Sequence, residues 1–84
     1  MASFLVETYV PRRQAQDARA AGERMRAAAR ELSRDGIRVR YVRTTLIPGD
    51  ETCFHVLESP SRDAVAAACR LAGLARARIV VAVE

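Results

Sequence analysis

The spacing of apolar residues switches back and forth between two periods along this chain, and the order of those switches leaves few folds open. Ser3 to Val10 is rich in β-formers with side chains of alternating character, the pattern of a strand, and Pro11 stops it. From about Gln14 to Ser33 the period lengthens: Ala18, Ala21, Met25, Ala28, Ala29 and Leu32 fall three and four apart, a narrow stripe on a helix about 30 Å long. An Ala-rich stripe implies close packing. Gly22 inside this helix costs about 1 kcal/mol relative to Ala, so it marks a close backbone approach, and Gly36 fits the position just past the helix end. Alternation then returns over Ile37 to Leu46 and again over Thr52 to Glu58, with Pro48-Gly49-Asp50 as the turn of an antiparallel hairpin. Ser61, the expected N-cap, opens a second helix whose stripe is Ala64, Val65, Ala68, Leu71 and Ala72; Gly73 ends it, and Ile79 to Val83 is a last strand.

The order is βαββαβ. Two right-handed crossovers give an α+β, ferredoxin-like sandwich in one domain spanning residues 1–84, with both helices on one face of a four-stranded antiparallel sheet and the first and third strands central. Alternation assigns Phe4, Val6, Ile37, Val39, Tyr41, Phe54 and Val56 to the helix-facing side. The opposite face then carries Leu5, Glu7, Tyr9, Arg38, Arg40, Val42, Cys53, His55 and Leu57. A chain of 84 residues buries only about 60 to 65 per cent of its unfolded surface, so association through that second face, as a homodimer, is the expected source of further stability.

The free face is also where chemistry is expected. Cys53 and His55, two apart on one strand face and about 7 Å apart along it, form a nucleophile pair or half of a site for a borderline divalent metal. Glu7 on the neighbouring strand is the third candidate ligand. Its other readings are a salt bridge to Arg38 or Arg40, or a general base with Tyr9 donating a hydrogen bond to a substrate oxygen. Against these stand plainer readings: Cys53 as a small buried hydrophobe, His55 as a hydrogen-bonded sheet residue and Cys69 as helix packing. If two sheets pack face to face, Glu7, Tyr9, Arg38, Arg40, Cys53 and His55 line a cleft for a small, partly apolar molecule, the setting of a dimeric α+β barrel enzyme or carrier with Glu7, Tyr9 and His55 doing acid/base work.

Charge narrows the partners. All 14 basic residues are Arg and the net charge is +4, but on the first helix they alternate with Asp17, Glu23, Glu31 and Asp35, the pattern of a solvated face rather than a nucleic-acid surface. No aromatic-rich stacking segment supports nucleic acid. No apolar run approaches the length of a membrane span, the first ten residues lack a basic start, and the two cysteines have no metal-ribbon or redox spacing. A cytoplasmic protein is expected.

Val6-Glu7-Thr8-Tyr9-Val10-Pro11, Val39-Arg40-Tyr41-Val42-Arg43-Thr44-Thr45, Cys53-Phe54, and the closing Ala72-Gly73-Leu74 with Arg78-Ile79-Val80 resemble the small actinobacterial nickel-binding protein family over nearly the whole chain. The resemblance implies a ferredoxin-like dimer that binds nickel at its surface and sequesters it without catalysis. Family members often carry His on the second helix where this chain has Cys69 and Leu71, so the ligand set Cys53, His55 and Glu7 is chosen by chemistry rather than carried over.

Overall fold

The computed structural model describes residues 1–83. Four strands, β1 (Ala2–Tyr9), β2 (Arg40–Ile47), β3 (Thr52–Ser59) and β4 (Arg78–Ala82), alternate with two α-helices, α1 (Gln16–Arg34) and α2 (Arg62–Leu71), in the order βαββαβ. The strands form one antiparallel sheet in the order β2-β3-β1-β4 with both helices packed on one side, the ferredoxin-like α+β fold. No helix among the described residues is long and apolar enough to cross a membrane.

The helices begin and end for local reasons. A single turn of 3-10 helix at Arg12–Gln14 precedes α1, so the helix starts two residues later than the periodicity suggests. At its far end Gly36 adopts φ +85°, and the Ile37 amide donates to the Leu32 carbonyl at 3.0 Å, which satisfies a carbonyl the helix leaves open. Ser61 caps α2, its hydroxyl accepting from the Ala64 amide at 3.3 Å. The expected stripe of α1 is buried throughout. On α2, Cys69 lies inside and Leu71 outside, a rotation of the stripe by part of a turn.

The core is Phe4 and Val6 of β1, Val39 before β2, Leu57 of β3, Met25, Ala28, Ala29 and Leu32 of α1, and the small residues of α2. Phe54 and Val56 are not in it. In the β1–β3 register Phe4 stands opposite Leu57, Val6 opposite His55 and Thr8 opposite Cys53, and residues directly opposite share a sheet face. The helix-facing side of β3 is therefore Cys53, His55, Leu57 and Ser59, the reverse of the expected assignment. Ile37 precedes β2 and is exposed. Over Cys53 and His55 the first helix presents small residues, Ala18 to Cys53 and Gly22 to Thr44, the partner of His55, which leaves room for a polar side chain that finds partners.

A second departure lies in β2. The β2–β3 register steps from Tyr41 opposite Leu57 to Arg43 opposite Val56, a bulge at Val42. The extra residue reverses the alternation, so Tyr41 and Thr44, three apart, both face the helices. Strict alternation would have put Thr44 with Arg40 on the other side.

Candidate functional site

The bulge assembles a buried polar chain. The Tyr41 hydroxyl lies 2.6 Å from Thr44 Oγ1, Thr44 Oγ1 lies 2.7 Å from His55 Nδ1, and His55 Nε2 lies 3.7 Å from Cys53 Sγ. A single direction of donation satisfies it: Tyr41 donates to Thr44, Thr44 donates to Nδ1, and a neutral imidazole turns Nε2–H toward the sulfur. No buried side-chain nitrogen or oxygen among the described residues is left without a partner. Gly22 closes the roof. A Cβ there would sit 2.6 Å from Thr44 Oγ1 and 3.1 Å from the Tyr41 hydroxyl, so the close approach expected at this glycine is real.

Electrostatics agree with a neutral network. Burial lowers the His55 pKa from its ordinary 6.5, and the positive charge of Arg24 lowers it further. Burial raises the Cys53 thiol, while a hydrogen bond with the Thr8 side chain partly offsets this; burial likewise raises Cys69, against the opposing charge of Arg70. An activated thiolate beside an imidazolium needs both shifts in the other sense and access to solvent. Cys53 and His55 are both fully buried. This pair is a satisfied piece of the core, and both cysteines are free thiols.

The expected site residues separate into several places. Glu7 and Arg40 do lie on the open sheet face, but in different ion pairs, Glu7 with Arg78 at 3.5 Å and Arg40 with Glu58. Tyr9 is at the exposed end of β1, on the same face as Glu7. Arg38 precedes β2 and borders a hollow near the start of α2 with Pro60 and Asp63, while its carbonyl accepts from the Ser59 hydroxyl. Cys53, His55 and Leu57 are on the helix side of the sheet, and Val42 is at the bulge. Glu7 is thus across the sheet from Cys53 and His55, and the proposed ligand trio is not brought together; nor is the acid/base set of Glu7, Tyr9 and His55.

The donor set can be tested against nickel. Cys53 and His55 supply two donors, walled in by Val10, Ala18 and Leu46, with no carboxylate beside them. No group of three or more His, Cys, Asp or Glu side chains among the described residues is placed to hold a cation. The pair does not fit a divalent ion. Thr44 and Tyr41, by contrast, belong to a polar cluster that strand periodicity hides, and the signal that pointed to it was Gly22.

What remains open is the sheet face opposite the helices. Leu5 stands opposite Val56 and Val80, and Glu7 opposite Phe54 and Arg78. Its half-buried apolar centre is Leu5, Phe54, Val56 and Val80, with the two ion pairs at its margins. Fold and surface together define a ferredoxin-like α+β domain with one uncovered sheet face. No family model, curated protein or solved structure matches this chain.

Proposed function

We propose that this chain is a non-catalytic binding protein that works as a homodimer joined through the open sheet faces, with nickel, the cargo that the family resemblance implies, held by groups from two subunits. The observation carrying this reading is the open face itself. Leu5, Phe54, Val56 and Val80 form an apolar centre that no element among the described residues covers, while the Arg78–Glu7 and Arg40–Glu58 pairs sit where a rim would be. A multi-donor metal site then requires two chains, since one chain places no three ligating side chains together among the described residues and its one imidazole is in the core. The separation of Glu7, Tyr9 and His55 supports binding over acid/base catalysis. Two free, buried thiols suit the reducing cytoplasm, where the proposal places the protein.

The test is native mass spectrometry and light scattering on untagged protein with and without Ni²⁺. The expected species is a dimer that takes up nickel per dimer, and Val56→Arg, which places a charge at the centre of the face, yields a folded monomer that has lost the metal. Cys53→Ser keeps nickel binding, because the sulfur is not a ligand. A wild-type monomer at micromolar concentration overturns the dimer; nickel bound equally by the Val56→Arg monomer overturns the shared site.

A further inference from the structure

We propose that the cleft between α1 and β2 is a binding site for a small organic polyanion, a phosphate-bearing molecule with a flat body. The sequence of α1 spaces Arg19, Arg26, Arg30 and Arg34 by seven, four and four residues, which keeps all four on one flank of the helix. That flank faces β2, whose Tyr41 and Val42, with Val39 just before the strand, form the other wall; Arg40 and Arg43 border the cleft, but their side chains share the open sheet face with Glu58 and Val56. Between α1 and β2 run two contiguous hollows of about 470 and 450 Å³ that share Arg26, Tyr41 and Val42. Glu23 is the only carboxylate lining either one. Asp17, Glu31 and Asp35, which balance the helix in sequence, line neither hollow. The apparent interleaving of charge along α1 is therefore sorted in space into a basic flank.

The four α1 arginines are also unpaired. The two ion pairs among the described residues are Arg40–Glu58 and Arg78–Glu7, so Arg19, Arg26, Arg30 and Arg34 have no carboxylate of the described residues within 4.0 Å. Guanidinium groups gathered around a concavity repel one another until an anion arrives, and their forked donors match phosphate oxygens. The floor is suited to something other than a bare ion. Tyr41 is half-buried, its hydroxyl fixed by Thr44 and, through it, by His55, and the Arg26 guanidinium lies 5.3 Å from its ring centroid. Ala29, Val39 and Val42 extend this surface. A flat ring stacks here while its phosphates reach Arg30 and Arg34.

Protection of an edge strand against aggregation accounts for charges on β2, but not for those on α1 across the groove. A single stacking aromatic favours a small molecule over a single-stranded nucleic acid, which needs a succession of platforms.

Titration calorimetry at low salt tests this with ADP, inorganic pyrophosphate and adenosine as probes. ADP is expected to bind at one site per chain, pyrophosphate more weakly, and adenosine without measurable heat. Arg30→Glu/Arg34→Glu should weaken ADP by about tenfold or more, whereas Arg13→Glu/Arg76→Glu, an equal change of net charge outside both hollows, leaves it within about twofold. Circular dichroism verifies folding, and Arg30→Gln/Arg34→Gln provides the same comparison without charge reversal. Absence of ADP binding at millimolar concentration, or equal loss in the two double variants, overturns the proposal. So does tighter binding of an oligouridylate that strengthens with its length, which would make the flank a nucleic-acid surface.

Discussion

Gly22 does two jobs that oppose each other. In a helix interior it costs about 1 kcal/mol relative to Ala, yet it allows the helix backbone to settle against Thr44 and Tyr41. A methyl group there meets Thr44 Oγ1 at 2.6 Å, and that oxygen cannot swing away without giving up its bonds to both Tyr41 and His55. Gly22→Ala is therefore expected to destabilise by about 1–3 kcal/mol in spite of the better helix propensity. In a Thr44→Ala background the same change should cost much less, and a double-mutant cycle by urea denaturation measures the difference. Equal costs in both backgrounds would mean that the contact is not what selects glycine. His55 supplies a second residue-scale consequence. Its pKa is lowered in the folded protein, so between the folded and unfolded values the unfolded chain binds a proton that the native state refuses. Stability is then complete above about pH 6.5 and falls as pH drops below it. His55→Gln, whose amide can accept from Thr44 and donate toward Cys53, should flatten the part of that slope nearest pH 6.5, as read from denaturation midpoints across pH 5 to 8.

At the scale of the element, the helices were far more legible in the sequence than the third strand was. The α1 stripe is unambiguous because Arg, Glu and Asp surround it. In β3 both faces carry apolar residues, Cys53 and Leu57 with His55 between them against Phe54 and Val56, and preferring the larger apolar side chains for the core chooses the wrong face. Only the pairing to β1 decides it. The β2 bulge is a similar case, since one extra residue at Val42 moves Thr44 to the helix side and no local composition announces it. Glu7 and Arg40 were placed correctly because their strands had a clear apolar face; the polar chain was invisible because it depends on two elements at once. Packing supplies the check. Leu57 is fully buried and Leu57→Ala is expected to cost about 2–5 kcal/mol, whereas Val56→Ala, on the open face, should cost under about 1.5 kcal/mol in dilute, monomeric protein. Thiol reactivity gives an independent reading of the same face: Cys53 and Cys69 should both resist a disulfide reagent in the native state and react together on unfolding.

The whole molecule has one covered sheet face and one uncovered, and its stability should depend on concentration for that reason. In 84 residues much of the helix-side core is Ala, which contributes little per residue, and four further large apolar side chains, Leu5, Phe54, Val56 and Val80, are on the side without helices. If two such faces meet, folding and association are linked, and each tenfold rise in protomer concentration stabilises the dimer by about 1.4 kcal/mol. Spread over the unfolding entropy of two chains, that raises the melting temperature by about 4 °C per decade. The Val56→Arg variant should lose this dependence while keeping the helix content of a folded monomer, because position 56 is on the sheet face opposite the helix-side core. A melting temperature for the wild-type chain that stays flat over two decades of concentration would leave the open face without a second copy to cover it, and the apolar residues on it would then need a different partner.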